Sequence, residues 1–260
     1  MSIKEGVGFS QQVDRHRDEL LAQFHRQGYL VLRNVLDADQ IEVLKQGVLA
    51  AFDEPDDGYG SIIRVQMFER DPIFEDMVDF PGVIDLLEAI LGTNCHLCAQ
   101  AAAKTSPGNT IGEWHVDDDV RFPLPSGYEL PPEIPMPCTG VHLIYYLVDV
   151  PLELGPTQLV PGSHRSGFEP APYEEPSYKG QGPVSAVGRA GDLVFYHHAV
   201  WHRGGPNSAG TRVTLHAAYG SRFIAQRFYP FMNYRLPTEI LERSSPRRRR
   251  LYGLHPRGDD

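Results

Sequence analysis

A chain of 260 residues with 41% hydrophobic content can bury a sizeable core and has the composition of an ordinary globular protein. Its net charge of −10 argues against nucleic acid and anionic membrane surfaces as partners, and no apolar run approaches the roughly 20 residues a membrane helix needs. Three cysteines are too few for a disulfide scaffold. The opening Met1-Ser2-Ile3-Lys4-Glu5 lacks the apolar core of a signal peptide, so a cytoplasmic location is expected.

In chain order, Ser10 is placed to cap a helix running to about Gln27, with Leu20, Leu21 and Phe24 on its apolar side. Gly28 stops it, and residues 29–32 read as a buried strand. Asp37 followed by Gln40 has the form of a capping box, and Ile41, Leu44 and Val48 recur at helical spacing behind it. An acidic turn spans 54–58. A third helix begins near Pro81, buries Ile84, Leu87 and Leu91, and ends at Gly92.

Beyond Gly92 the pattern changes to short strands and turns. Strands are predicted at 97–103, 140–150, 157–160, 184–187, 193–196 and 212–218. The clearest, 140–150, alternates Val141, Leu143, Tyr145 and Leu147 toward a core. Cys95 and Cys98 match a redox spacing, but no helix follows to lower a thiol pKa, so they read as buried reduced thiols. Residues 122–137 hold Pro123, Pro125, Pro131, Pro132, Pro135 and Pro137 and cannot form regular structure. A loop of that length is expected to be functional and to lie over the site. Arg247 to Arg250 read as a solvated helix face. The fold class that follows is mainly β with flanking α-helices, a jelly roll with its helices gathered at one end. One domain over 1–260 is expected, with a helical flank at about 10–92, a β core at about 95–220 and an extension at about 221–260.

Chemistry concentrates at two stretches. In Glu113-Trp114-His115-Val116-Asp117, His115 and Asp117 share one face of an extended segment, within reach of one ion. Such a pair alone is commonly two solvated polar residues near a turn. The second stretch starts with a Gly191-Asp192 turn and an apolar strand, reaches His202, turns through Gly204-Gly205-Pro206-Asn207 and returns on a strand carrying Arg212. Ten positions separate His202 from Arg212, enough for the chain to end one strand, turn and come back antiparallel. Two histidines and one carboxylate leave three coordination positions open on iron(II). A neighbouring guanidinium can hold a carboxylate through two parallel hydrogen bonds. His197 and His198 are expected on the same strand as His202, one facing the core and the other solvent. His164 reads as a structural hydrogen-bonding residue. Asp118 points away from Asp117, and Asp119 is placed to meet a cationic or hydroxylated substrate.

Together, His115-x-Asp117, the run Gly155-Pro156-Thr157-Gln158-Leu159-Val160-Pro161-Gly162-Ser163-His164, Gly191-Asp192, His202 and Arg212 resemble the phytanoyl-CoA hydroxylase (PhyH)-like family of Fe(II)/2-oxoglutarate-dependent dioxygenases, from about Gly28 to Gly253. The resemblance implies a cupin-like double-stranded β-helix with His115, Asp117 and His202 on iron(II) and Arg212 on the distal carboxylate of 2-oxoglutarate. It adds Arg64 as a second basic contact to that co-substrate. It further implies O2 as oxidant, release of succinate and CO2, and a small-molecule metabolite as the molecule oxidised. Halogenating relatives carry Gly or Ala at the carboxylate position; Asp117 therefore favours hydroxylation or a related oxidation. The chain departs from the family at Val116, usually polar, and at Gly204, often Ser. Substrate-pocket residues are expected around Tyr59, in the proline-rich loop and at 167–182. The alternative is a non-oxidative cupin-type barrel holding zinc or a structural metal without 2-oxoglutarate turnover, or a binding module that keeps the fold alone. Arg212 discriminates, because a structural metal needs no carboxylate clamp beside it.

Overall fold

Apolar side chains three or four positions apart make the first helix amphipathic: Phe9, Val13 and Phe24 of α1 (Val7–Gln27) are all buried. The computed structural model describes residues 7–55, 58, 62–109, 111–117, 122–125, 127–230 and 233–255. Ser10 lies inside α1 rather than at its cap, since the helix is already formed at Val7. Gly28 ends it in a left-handed conformation (φ +83°), its N–H donating to Phe24 O at 2.7 Å. A Cβ there would sit 2.5 Å from His164 Nδ1, so both backbone and packing require glycine.

Strand β1 (Tyr29–Leu32) follows, then α2 (Ala38–Asp53). The capping box is present: Gln40 N donates to Asp37 Oδ1 and Asp37 N to Gln40 Oε1, both at 2.9 Å. Next come β2 (Ile63–Val65), two short helices that the sequence pattern did not reveal, α3 (Met67–Arg70) and α4 (Pro72–Asp76), and α5 (Val83–Leu91). The remaining strands are β3 (His96–Thr105), β4 (Gly140–Tyr146), β5 (Thr157–Leu159), β6 (Val184–Ser185), β7 (Leu193–His197), β8 (His202–Gly204) and β9 (Arg212–Gly220). Helices α6 (Thr238–Arg243) and α7 (Pro246–Leu251) follow. Among the described residues no helix is long and apolar enough to cross a membrane.

Two antiparallel sheets result, one of six strands in the order β1-β7-β4-β9-β3-β2 and one of three in the order β6-β5-β8. The alternation along β4 shows how they stack. Val141, Leu143 and Tyr145 turn outward into the main apolar cluster, which the flanking helices cover. Ile144 and Tyr146 turn inward, where Val194 and Tyr196 of β7 and Leu159 of β5 close a second cluster between the sheets. This is the jelly roll expected, and the inner face of the large sheet becomes the wall of the site.

Two expectations about exposure need correction. His197 and His198 do not share a strand with His202: β7 ends at His197, the chain turns, and β8 begins at His202 in the other sheet. Both are buried, because the turn is folded inward, with His197 Nε2 3.3 Å from Pro137 O and His198 Nε2 3.1 Å from Thr139 Oγ1. The arginines of α7 are likewise not simply solvated. Arg247 pairs with Asp85 and Glu88, Arg248 with Asp76 and Asp79, and Arg250 with Glu88. Opposite charges on α4, α5 and the segment between them supply the partners that composition alone could not reveal. The three cysteines are free, Cys95 and Cys98 buried as expected.

Candidate metal centre

Strand pairing brings the two chemical stretches together. His115 and His202 form an antiparallel bridge, exchanging backbone hydrogen bonds of 3.0 Å in each direction. Their rings lie with centroids 4.2 Å apart. Two residues on, Asp117 N donates to His198 O at 3.1 Å, which fixes the carboxylate beside the same pair. One donor atom from each of His115, Asp117 and His202 lies within 4.8 Å of the others.

The tautomers follow from the hydrogen bonds. His115 Nδ1 faces Glu113 O at 2.8 Å and His202 Nδ1 faces Val200 O at 3.0 Å. A carbonyl only accepts, so each Nδ1 carries the proton and each Nε2 presents a lone pair. Backbone carbonyls commonly orient metal-binding imidazoles in this way. Asp117 Oδ2 is buried with no hydrogen-bond partner among the described residues. It lies 3.4 Å from His202 Nε2 and 3.0 Å from His142 Nδ1, neither with hydrogen-bond geometry. Burial alone would raise the Asp117 pKa, but His142, His202 and His115 hold its carboxyl well below the usual range. Burial would lower the His202 pKa, and the Asp117 carboxylate raises it instead. The arrangement offers two imidazole nitrogens and one anionic oxygen around one point, and it fits a divalent metal.

Arg212 comes from β9 and points inward on the same face as Thr214 and His216. Its Nη1 donates to Gly155 O, and it is 9% exposed. Among the described residues it has no carboxylate partner. Its register partner, Thr105 on β3, buries a hydroxyl that has no hydrogen-bond partner among the described residues. A Cβ at Gly204 would meet Ile111 O at 2.9 Å and Arg212 Nη2 at 3.5 Å, which explains glycine two residues after His202. A buried guanidinium and a buried hydroxyl side by side, without an anion, fit one end of a carboxylate ligand.

Arg64 is not brought to this place. It pairs with Ala102, which in turn pairs with Leu215, and both neighbours belong to the outer, helix-covered cluster. Its Nε donates to Ala51 O at 3.1 Å and its guanidinium stacks 4.7 Å over the Phe52 ring. Arg64 thus ties β2 to α2. Tyr59, Asp118 and Asp119 lie outside the described residues. The proline-rich loop is tied to the 167–182 loop through Lys179 and Glu129 at 2.6 Å, and Arg165 binds its carbonyls at Leu130, Pro131 and Ile134.

Three inward residues escaped the sequence reading. His142 is the register partner of Tyr196, whose hydroxyl lies 3.4 Å from His202 Nε2. His216 places Nε2 2.8 Å from Thr214 Oγ1. Burial pushes the His142 pKa down to about 4 despite Asp117, and burial with the Arg212 guanidinium pushes His216 down to about 3. The signal was present in the alternation of β4: if Val141, Leu143 and Tyr145 face the core, His142 faces the other way.

A jelly roll in which two imidazoles and one carboxylate converge beside its smaller sheet has the donor set of the two-histidine, one-carboxylate metal proteins. The family model described as phytanoyl-CoA dioxygenase (PhyH) matches residues 24–213, and the chain belongs to that family. Among solved structures it is similar to the epimerase SnoN in complex with Fe3+, alpha ketoglutarate and nogalamycin RO, with a TM-score of 0.63 and 21% identity over 80% of this chain and 85% of that one. HygX from Streptomyces hygroscopicus, with nickel, 2-oxoglutarate and hygromycin B bound, gives a TM-score of 0.64 and 18% identity over 80% and 88%. The carbocyclase SnoK from nogalamycin biosynthesis gives 0.58 and 21% over 78% and 83%. At these identities the likenesses establish the shared fold.

Proposed function

We propose that this protein is an iron(II)- and 2-oxoglutarate-dependent oxygenase that oxidises a small-molecule metabolite, with hydroxylation as the first reaction to test. The observation that carries the reading is a pair of unmet demands, one on each sheet. Three metal donors converge around the unpartnered Asp117 Oδ2, and Arg212 is buried without a carboxylate partner among the described residues. His115 and His202 would hold the metal through Nε2 and Asp117 through its carboxylate. Arg212 would grip the distal carboxylate of 2-oxoglutarate, with the Thr105 hydroxyl as a second donor in place of Arg64. Iron(II) and 2-oxoglutarate together supply the oxidising chemistry, in which one atom of O2 enters succinate as CO2 leaves and the other is available to the substrate. The chain's own part is to position these groups and to keep water from a wall formed by Ile144, Tyr146, Val194 and Tyr196.

A zinc or structural-metal barrel accounts for the three ligands but leaves the buried Arg212 without a purpose. The deciding experiment is anaerobic addition of iron(II) and 2-oxoglutarate to the purified protein. A visible metal-to-ligand charge-transfer band is expected, and Arg212→Ala should abolish it at the same 2-oxoglutarate concentration. No band, or one indifferent to Arg212, would rule the reading out. Because SnoN is an epimerase and SnoK a carbocyclase, the reaction type is then read from product mass across a metabolite panel. Hydroxylation adds one oxygen, epimerisation changes nothing and ring closure removes two hydrogens.

A further inference from the structure

His142 stands behind the metal donors, and nothing in the three-ligand set requires it. Its Nδ1 is 3.0 Å from Asp117 Oδ2, and its side chain is 15% exposed. Among the described residues only His115, Asp117 and His202 converge within 4.8 Å of one another, so His142 lies outside the ligand ring. The sheet holds it there. His142 is paired in register with Tyr196 on one side and with Ala218 on the other, where the small side chain leaves the imidazole room. The Tyr196 ring lies at centroid distances of 5.6 Å from His142 and 4.7 Å from His202. A carboxylate oxygen accepts only, so a nitrogen this close is tolerable as a donor and repulsive as a lone pair. The contact is close but not aligned as a hydrogen bond, so its pull on the carboxylate is electrostatic, from an Nδ1–H turned toward Oδ2.

We infer that His142 is a positioning residue for the metal-binding carboxylate: its Nδ1–H, braced by Tyr196, holds Asp117 in the orientation that serves the metal. The inference rests on the reading above that His115, Asp117 and His202 bind a metal.

The test titrates Co(II) into the full-length metal-free protein and reads its d–d absorption, without turnover. Outer partners of metal ligands typically contribute about 10- to 100-fold in affinity, so His142→Phe should weaken Co(II) binding by that factor with band positions unchanged. His142→Asn, whose amide N–H can stand where Nδ1–H stood, should recover most of the loss. A bulk packing role would not produce that rescue. If His142→Phe fails to fold, His142→Leu replaces it in the same comparison with Asn. Affinity within about twofold of the parent in the Phe or Leu variant would overturn the inference. So would a changed band pattern that Asn does not restore, because His142 would then be a ligand itself. Asp117→Ala keeps the two readings apart. If it abolishes Co(II) binding while His142→Phe has no effect, only the His142 inference falls. If the parent takes up no Co(II), the metal reading falls with it.

Discussion

Arg212 is the residue on which the co-substrate reading turns. Charge-assisted hydrogen bonds contribute roughly 1.5–3 kcal/mol each, and a guanidinium can make two to one carboxylate. Arg212→Ala should therefore raise the apparent 2-oxoglutarate dissociation constant on the order of a hundredfold or more, measured by titrating the charge-transfer band. Arg212→Lys should recover little, since an ammonium cannot form the fork. Thr105→Val tests the second donor and should weaken 2-oxoglutarate about tenfold, with metal affinity unchanged. Gly204 gives a steric test. Its Cβ would lie 2.9 Å from Ile111 O, and Gly204 N already donates to that oxygen at 2.7 Å. Gly204→Ala must push these segments apart, at about 1–3 kcal/mol of strain. A lower melting temperature and a weaker charge-transfer titration are expected together. A variant that loses stability while binding 2-oxoglutarate normally would separate Gly204 from the clamp.

At the scale of elements, the ion pairs on α6 and α7 carry the clearest energetic consequence. Glu75 on α4 is 1% exposed and accepts from Arg243 Nε through both oxygens at 3.0 Å. Removing one partner of a buried pair leaves an uncompensated charge, typically at 3–5 kcal/mol. Arg243 is itself 44% exposed, so the expected loss for Arg243→Ala is smaller, about 2–3 kcal/mol by urea unfolding. The double variant with Glu75→Leu should regain most of it, because the stranded charge is then gone. Two equal and additive losses would show that the pair is not the cause. The arginine-rich segment gave no hint of this in the sequence. Its partners, Asp76, Asp79, Asp85 and Glu88, sit far upstream, and only the fold brings α7 beside α4, α5 and the segment between them.

For the whole molecule, acid sensitivity follows from histidines buried in neutral form. Burial pushes the His164 pKa down to about 4, and its Nε2 is committed to His25 O at 3.2 Å. His197, whose ring lies 5.1 Å away, is held well below its ordinary value, also by burial. The unfolded chain binds these protons from about pH 6.5 downward and the folded one does not, so the contribution is complete above that pH. It is lost as pH falls toward about 4, at about 1.4 kcal/mol per pH unit for each histidine. Denaturant unfolding between pH 7.5 and 4.5 should show that slope reduced by about one histidine's share in His164→Gln. An unchanged slope would mean that His164 is protonated in the native state.

What could be read from the residues was whatever depends on local spacing. The capping box at Asp37 and Gln40, the stop at Gly28, the outward face of β4 and the shared face of His115 and Asp117 follow from periods of 3.6 and 2. The order of the motifs was enough to show a resemblance to the family that the chain belongs to. Tertiary structure alone decided which faces meet. His115 and His202 come together because their backbones pair at the edge of the smaller sheet, a long-range choice that no local pattern encodes. Arg64 lay one residue out of phase with the inner face, and in a strand a step of one reverses the side chain. The same parity turned His142 inward, where only the pairing of β4 with β7 and the approach of Asp117 give it a partner.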